Sequence, residues 1–561
     1  MVMKSITSKI FLPFAVVLLC ISACKKDFLE RTPGVSLPED KVFSTPTLAV
    51  QWADNAYKFL IDDYARFDDH RGASSQASDE AVSGNSNGSI RYFNQGLYHE
   101  HAANVASLND IRDVWSREYE GIRVANQMLE KMDVVPWGTS DAQKALKNRV
   151  ASEMHFLRAF FYFELIKRFG GVPLMKRVYG TEENIDFPRN TYQECVDYIN
   201  ADLDAAYNGL PITYDASNNG RATKGAVRAL RSRVLLYAAS KLNNESNDVS
   251  KWKLAADSTR KLIEANWYQL QGTYDDILNV AESPEYIMIK IRAPRVRTDN
   301  KIVDFAQSPG SGGIAGTMNP TQNHVNLYEM KATGLPITDA ASGYNPQAPY
   351  AGRDPRLAAN VLYNDRDWQG RKLQMWENSR DYNSTNPIYT ATRYYCRKYW
   401  PEAYVGGQTG TAILNYVFFR YAEILLNYAE AQNEVLAAPD QSVFDAINSI
   451  RDRASVKMPL LVFGTINKEE MRKRIRNERA VELAFEDHRW YDIMRWKAGA
   501  EIVAQPVKGM NVVNNNGVFT YTQVVLPAQF QKVYLDYMHR YPIPRSEMYK
   551  SQNILIQNPG W

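Results

Sequence analysis

The densest group of ionisable side chains in this 561-residue sequence lies near its C-terminal end. Carboxylates and guanidinium groups recur there at spacings of three and four residues, within one predicted helix: Glu478, Arg479, Glu482, Glu486, Arg489, Asp492 and Arg495. A carboxylate pair could supply the acid and base of a glycoside hydrolase. The same residue types form salt bridges and buried Arg–carboxylate links between packed helices, and we expect this structural role here, as for Glu423 and Glu430.

Other patterns associated with catalysis or cofactors are incomplete. The sequence has no HExxH or Walker A motif. The segment "GSGGIAG" follows no predicted strand and precedes no amphipathic helix, which argues against a dinucleotide loop. "DASNNG" begins like a calcium loop, but Ala226 occupies the twelfth position, which predicts a turn instead. His99 and His101 have no evident carboxylate or cysteine partner. We therefore expect no catalytic residue, no metal and no cofactor.

Aromatic side chains in loops are the remaining candidates for chemistry. A sugar ring presents an apolar face that stacks on Tyr or Trp, while neighbouring amides and charged groups meet its hydroxyls. The loop residues that fit this chemistry, and that we predict as glycan-binding candidates, are Tyr92, Phe93, Asn94, Trp368, Trp376, Tyr395, Trp400 and Tyr404. For each of them, packing inside the loop region is the alternative. Many other aromatics, such as Phe161 and Trp490, belong to predicted helix interiors.

The N-terminal segment has the pattern of a lipoprotein signal peptide. Lys4 and Lys9 precede a run of apolar residues that is too short for a membrane span and suits a secretory signal. Small residues then precede Cys24, so residues 1–23 are predicted to be removed and the sulfur of Cys24 to carry lipid. Acyl chains at about 0.8 kcal/mol per buried CH2 would hold a water-soluble body on a membrane. A plain signal peptide with an incidental cysteine is the alternative.

The remaining composition describes a water-soluble globular protein. Mean hydropathy is −0.43, and the net charge of +3 includes the two lysines of the segment predicted to be removed. A nearly neutral chain has no electrostatic footprint for nucleic acid. Cys195 and Cys396 could pair in an oxidising compartment or remain two buried thiols, and their spacing gives no zinc site.

The elements that position these residues are mainly helical. Apolar residues at three- and four-residue steps predict a helix through "ASEMHFLRAFFYFELIKRF", ended by Gly170, and further helices in "RATKGAVRALRSRVLLYAASKL", "YVFFRYAEILLNYAEAQNEV" and "KRIRNERAVELAFEDHRWYDIMRW". Paired helices with alanines at their contacts predict a mainly α, tetratricopeptide-like scaffold. We divide the chain into a helical region at 24–270, a loop-rich lobe at 271–410 and a region at 411–561 that completes the scaffold.

An ordered series of motifs gives the chain a family resemblance over essentially its whole length. The motifs are "CKKDFLERTP", "HFLRAFFYFELIKRFGGVPL", "GRATKGAVRALRSRVLLYAA", "RDPRL", "RYAEILLNYAEAQNE", "NERAVELAFEDHRWYDIMRW", "YPIPRSEM" and "QNPGW". Together they resemble the SusD/RagB family of outer-membrane nutrient-uptake lipoproteins. The resemblance implies a tetratricopeptide-like fold and a lipid-anchored, surface-exposed protein of the outer membrane. It also implies a partner, a SusC-like TonB-dependent β-barrel transporter that receives the captured ligand.

Three functions follow from these observations. The first is a non-catalytic lipoprotein that binds an oligosaccharide or polysaccharide on its loop face and delivers it to the transporter. The second keeps this architecture but captures peptides, as RagB-like proteins do, and relies on the loop charges of Asp68, Asp69, Arg71 and Arg91. The third is a surface glycoside hydrolase, which would need an acid/base pair that the loops do not offer.

Overall fold

The structure is a computed structural model of the whole chain. It describes residues 38–61, 64, 72–84, 89–98, 109–180, 182–183, 187–275, 277–290, 306–313, 315–402, 414–552 and 554–561. The predicted signal peptide, Cys24 and Tyr404 lie outside these residues.

Helices dominate the described part of the chain, as the sequence predicts. They are α1 Glu39–Val42, α2 Pro46–Asp54, α3 Ser89–Asn94, α4 Asn109–Lys131, α5 Asp141–Phe169, α6 Tyr192–Tyr207, α7 Lys224–Ala239, α8 Val249–Glu264, α9 Gln322–Val325, α10 Pro355–Asn360, α11 Tyr421–Val435, α12 Gln441–Arg451, α13 Lys468–Glu482, α14 Arg489–Trp496, α15 Gly499–Ile502 and α16 Arg545–Lys550. The mainly α fold class is thereby confirmed.

Local signals fix the ends of the longest helix. At the start of α5, the Ser140 hydroxyl accepts from the Gln143 N–H, and the Gln143 side chain accepts from the Ser140 N–H in return. This reciprocal pair satisfies two of the backbone donors that a helix start leaves open. Gly170, with φ 78°, ends the helix in a conformation that a Cβ would strain. The predicted stop at this glycine is confirmed.

The long helices pack on their chain neighbours to form the scaffold. From α4 through α8, each helix lies against the next one, and α11 then packs on α8, α12 and α13. Small side chains allow close approach, since Ala229 of α7 is fully buried and Ala238 nearly so. A helix cannot bury its apolar stripe alone, so this stacking supplies the continuous core that paired-helix scaffolds require.

The predicted helix through "KRIRNERAVELAFEDHRWYDIMRW" is wrong as a single element. It divides into α13 and α14, because Phe485 and Asp487 between them both have φ 62°. Non-glycine residues rarely adopt this left-handed conformation, and it cannot continue a right-handed helix. A buried side chain, Glu80, helps to hold the bend by accepting a hydrogen bond from the Phe485 N–H at 2.9 Å.

The described strands form antiparallel pairs. The described strands are β1 Ala81–Ser83, β2 Tyr286–Lys290, β3 Met318–Pro320, β4 Val361–Leu362, β5 Asp367–Trp368, β6 Arg371–Lys372, β7 Tyr395–Cys396, β8 Tyr416–Arg420, β9 Lys508–Asn515 and β10 Val518–Val525. They pair as β1–β3, β2–β8, β4–β7, β5–β6 and β9–β10. The division of the chain into three regions at residues 270 and 410 stays a prediction.

One large apolar core joins the scaffold to the loop-rich segments. The Phe160 ring of α5 meets the Phe418 ring of β8 edge-on, with centroids 5.6 Å apart, and Trp400 belongs to the same cluster. Cys195 and Cys396 are both buried free thiols, so the disulfide alternative does not apply. Burial raises the pKa of Cys195 to about 11 and that of Cys396 to about 12, which keeps both thiols protonated.

Candidate functional site

The charged residues of α13 and α14 form a buried ion-pair network. Arg420 at the end of β8 is its centre: its guanidinium donates to Glu285 and Glu486 at 2.7 Å and to Glu482 at 2.8 Å. Arg453 bridges Glu285 and Glu482, each at 2.7 Å. The predicted structural role of these charges is therefore confirmed.

Neighbouring helices hold a second group of buried pairs. Arg495 donates to both carboxylate oxygens of Glu430 at 2.6 Å, and Asp492 accepts from Arg495 and from Arg479. Burial by itself would raise the pKa of Glu430. The charges of Arg495 and Arg479, with hydrogen bonds from Arg495 and Trp496, outweigh it and lower that pKa to about 2. A carboxylate held ionised in this way cannot act as a general acid near neutral pH.

Five of the eight predicted glycan-binding residues are core residues in the structure. Phe93, Trp368, Tyr395 and Trp400 are at most 3% exposed, and Asn94 is 9% exposed. Phe93 stacks on Tyr98 with centroids 4.1 Å apart. The Tyr395 hydroxyl donates to the Asp381 carbonyl at 2.8 Å, and the Asn94 amide donates to the Gln76 carbonyl at 2.9 Å. A stacking ring must be accessible, so we correct the sequence interpretation of these five to a packing role.

Two predicted residues are accessible. Tyr92 of α3 is 42% exposed, and Trp376 is half-buried in the loop that follows β6. The tertiary contacts of Trp376 extend into an aromatic surface that is not evident from the sequence. Of the four charges that the peptide alternative uses, Asp68, Asp69 and Arg71 lie outside the described residues. Arg91 donates to the Gln529 carbonyl at 3.3 Å and stacks on Phe530.

Five half-buried rings form this surface, which we call the aromatic platform. It consists of Trp376, Phe519, Tyr521, Tyr350 and Tyr363. Successive centroids are 5.5 Å apart for Trp376–Phe519, 6.3 Å for Phe519–Tyr521, 5.7 Å for Tyr521–Tyr350 and 4.1 Å for Tyr350–Tyr363. Offset and edge-on contacts of this kind are the favoured arrangements of aromatic pairs. The rings are thus ordered before any ligand arrives.

The β9–β10 hairpin positions two of the five rings. Its turn residues Asn516 and Gly517 have φ 52° and 90°, as an Asn-Gly turn between two twisted strands requires. Successive side chains of a strand alternate between its two faces, so Phe519 and Tyr521, two residues apart, share one face. That face lies against the loop residues Trp376 and Tyr350.

Two side-chain amides fix the tyrosine in the middle of the platform. The buried Asn364 donates to the Tyr521 hydroxyl at 3.0 Å and accepts from the Met375 N–H, next to Trp376, at 3.0 Å. Gln347 hydrogen-bonds the Tyr521 backbone, accepting from its N–H at 3.2 Å and donating to its carbonyl at 3.1 Å. The platform therefore depends on amides that come from outside the hairpin.

The three tyrosine hydroxyls of the platform are neutral. Burial raises the pKa of Tyr350, Tyr363 and Tyr521, so their hydroxyls stay protonated at neutral pH. Two cations lie close by: Arg393 donates to the carbonyls of Met375 and Val512 at 2.7 and 3.1 Å, and Arg366 lies 5.7 Å from the centroid of the Tyr363 ring. Such a surface offers apolar ring faces and neutral hydroxyls, which suit a ligand with C–H faces and its own hydroxyls.

Four of the five platform residues were missed because they are remote from Trp376 in the sequence. The signal for two of them was present: "NNGVFTYTQVV" combines an Asn-Gly turn with alternating aromatics, which is a pattern typical of a β-hairpin. Tyr350 and Tyr363 carry no comparable signal, because they lie in loops that only the fold brings to the hairpin.

Membrane-spanning helices and metal-binding clusters are both absent from the described residues. No helix among them has both the length and the apolar character needed to cross a bilayer. Within that same part of the chain, no group of three or more His, Cys, Asp or Glu side chains is arranged to hold a metal ion.

Comparison with known proteins assigns the family. A family model described as "SusD family" matches residues 284–561, and a second, described as "Starch-binding associating with outer membrane", matches residues 27–236. The chain belongs to the SusD/RagB family. SusD-like protein P2 of Formosa agariphila is 25% identical over 470 residues, which cover 80% of each chain. SusD-like protein P38 of the same organism is 25% identical over 416 residues, which cover 71% of this chain and 74% of that protein.

Solved structures of the SusD/RagB family share this fold. A SusD-like protein of Bacteroides fragilis superposes with a TM-score of 0.75 at 27% identity, covering 94% of this chain and 100% of the other. A SusD-like carbohydrate-binding protein from the same organism gives a TM-score of 0.75 at 24% identity, covering 92% of this chain and 99% of the other. At 24% identity, the likeness to this second structure concerns the fold alone.

Proposed function

We propose that this protein is a non-catalytic lipoprotein that captures a glycan on the aromatic platform and passes it to a transporter. The observation that carries the proposal is the row of five ordered, half-buried rings: Trp376, Phe519, Tyr521, Tyr350 and Tyr363. Several aromatic rings that lie in a row suit a ligand that is itself a chain of rings. Each sugar unit would place its C–H face on one ring and its hydroxyls toward amides such as Gln347.

The ion-pair network favours binding without cleavage. The carboxylates that the hydrolase alternative would use are buried and paired with arginines, as in Arg420–Glu482 and Arg495–Glu430. Hydrolysis of a glycosidic bond needs two carboxyl groups that reach the substrate, one of them with a raised pKa. We therefore do not propose a glycoside hydrolase activity for this protein.

Family membership supports the type of ligand and the place of action. One matching family model is described as starch-binding and associated with the outer membrane. From family membership we propose a glycan ligand, an outer-membrane location and a lipid anchor on Cys24. The partner that we propose is a SusC-like TonB-dependent barrel, and the energy for uptake would come from the TonB system acting on that barrel.

Binding measurements on the purified full chain test the ligand. Isothermal calorimetry against a panel of neutral and acidic oligosaccharides and against a mixture of peptides should give saturable binding for at least one neutral glycan. Release of reducing sugar from the same glycans should not rise above that of a protein-free sample. Binding of peptides alone would favour the RagB-like alternative, and release of reducing ends would contradict a non-catalytic function.

Membrane fractionation tests the anchor and the partner separately from the ligand. A Cys24→Ala variant should lose radiolabelled palmitate and leave the membrane fraction, while its glycan affinity stays unchanged. An affinity tag on the wild-type chain should recover a barrel transporter from solubilised outer membranes. An unchanged location of the Cys24→Ala protein would overturn the proposed anchor and leave the glycan proposal standing.

A further inference from the structure

A second concave surface lies on the helical scaffold. It is a cleft with a volume of about 280 Å³ between the connection that links α6 to α7 and the segment that leads into β2. Its lining includes Ile212, Thr213, Tyr268, Ser283 and Tyr286. None of the platform residues lines this cleft.

The floor of the cleft is apolar and rigid. It is built by Ile287, Met288 and Ile289 of β2, none of which is more than 5% exposed. The half-buried Tyr268 ring is held close to α7: a Cβ at Gly225 would lie 1.9 Å from the Tyr268 hydroxyl. The glycine thus permits the close approach that lets Tyr268 form a wall.

Among the described residues that line the cleft, Arg221 is the one cation, and it is fully paired. Arg221 donates to both carboxylate oxygens of Asp54, to Glu153 and to the Asn218 side chain. These carboxylates help to raise its pKa. An anionic ligand would therefore find no unpaired positive charge among the described lining residues.

Polar groups at the rim remain available. The side chains of Thr213 and Asn219 are exposed, and neither has a hydrogen-bond partner in the part of the chain that the structure describes. Ser283 accepts from the Glu285 N–H, which leaves its hydroxyl proton able to donate. Ile212, 42% exposed, adds an apolar surface beside these groups.

We propose that this cleft is a second binding site, which takes one or two rings of a neutral saccharide. The Tyr268 ring and Ile212 would contact the C–H face of the sugar, while Thr213 and Asn219 would hydrogen-bond its hydroxyls. The volume lies just below the range of about 300–1,000 Å³ typical of small-molecule pockets, so the ligand is short. The assignment rests on the cleft itself and holds whether or not the platform binds glycan.

A peptide is the less suitable occupant. Strand addition needs accessible backbone on an open sheet edge. The residues of β2 that line the cleft, Ile287 to Ile289, are almost completely buried, so they present a floor and no such edge. The accessible hydrogen-bonding groups are short side chains at the rim, which suit the scattered hydroxyls of a sugar.

Methyl NMR on the full chain tests the site directly. The isoleucine δ1-methyl groups are labelled, and the protein is titrated with maltose, cellobiose and lactose. At least one of these disaccharides should shift the Ile212 and Ile287 signals saturably. The disaccharide concentration extends to about tenfold above an expected Kd of ~1 mM. Thr213→Val and Asn219→Ala, both at exposed positions, should each weaken that binding about fivefold or more. Alanyl-alanyl-alanine serves as the peptide probe and should leave both signals unchanged.

Platform variants separate this site from the proposed function. Trp376→Ala should leave the disaccharide shifts at Ile212 and Ile287 unaltered. The proposal is overturned if no disaccharide shifts these signals, if the tripeptide shifts them instead, or if Trp376→Ala abolishes the shifts. If Trp376→Ala loses oligosaccharide binding but keeps the disaccharide-induced shifts of Ile212 and Ile287, the result bears on the platform proposal alone.

Discussion

The side-chain amide of Asn364 lies 3.0 Å from the Tyr521 hydroxyl and ties together two segments that are 157 residues apart in the sequence. Its donor end holds the hairpin tyrosine, and its acceptor end holds the backbone next to Trp376. Because Asn364 is only 2% exposed, water does not readily replace either hydrogen bond. One buried amide thus sets the relative position of two rings of the platform.

Removal of this amide should weaken glycan binding without removing a ring. We expect Asn364→Ala to lower the affinity about threefold to tenfold, because Tyr521 and Trp376 lose their common support. Tyr521→Phe, which removes the hydroxyl and keeps the ring, should have a similar or smaller effect. The two changes should be less than additive in a double-mutant cycle, since they break the same contact. Fully additive losses would show that Asn364 does not act through Tyr521.

Loss of a platform ring should have a larger effect. We expect Trp376→Ala to weaken binding of a neutral oligosaccharide about tenfold, which is ~1.4 kcal/mol. Stability should change little, because the ring is half-buried at the surface. Calorimetry provides the measurement. The matched control is Tyr549→Ala, which removes an exposed ring outside the platform; equal losses in the two variants would contradict the assignment.

The central arginine of the ion-pair network should be essential for folding stability. Arg420→Ala removes the buried cation that Glu285, Glu482 and Glu486 share and leaves their negative charge less fully compensated, so we expect the free energy of unfolding to fall by at least about 3 kcal/mol. Arg420→Lys should lose less, because it keeps the charge but not the planar donor geometry. Urea unfolding gives both values.

An exposed pair provides the control for that prediction. Arg177 and Glu183 are joined at the surface, where both side chains are about half exposed. Arg177→Ala should lower the free energy of unfolding far less than Arg420→Ala does, because solvent screens exposed pairs. If Arg177→Ala and Arg420→Ala had equal effects, burial would not be what gives the network its importance.

Acid should weaken the fold through the buried carboxylates. The pKa of Glu430 is lowered to about 2 in the folded protein against 4.5 as its ordinary value, so the unfolded state binds more protons between these pH values. The stability from Glu430 is present above about pH 4.5 and should be lost as the pH falls toward 2. Glu430→Gln should be less stable at pH 7 and should show a shallower decline in acid. A decline as steep as that of the wild type would exclude Glu430 as a contributor.

Most of the scaffold could be predicted because its signals are local. Apolar residues at helical spacing, the capping residue Ser140 and the terminating Gly170 all act within one or two helical turns. The break between α13 and α14 could not be predicted in this way. Its sequence keeps the helical spacing of charges, and the bend at Phe485 and Asp487 is held partly by Glu80, about 400 residues away.

The candidate site was even harder to predict from local sequence signals than the helix break. Trp368 and Trp376 look alike in the sequence, since each is a loop tryptophan followed by a polar residue. The fold buries the first completely and leaves the second half-exposed beside Phe519. Side-chain type therefore predicts which residues are able to stack on a sugar, and burial decides which of them can reach one.

The sequence by itself determined the helical class, the family resemblance and the structural role of the C-terminal charges, because each of these depends on residue spacing along one segment. Only the tertiary structure decided which rings form a surface. Trp376, Tyr350 and Tyr521 come from three separate segments, and their proximity results from the packing of the hairpin against the loops. Contacts between residues far apart in the chain are not encoded in any local pattern, so the platform becomes visible only after the chain has folded.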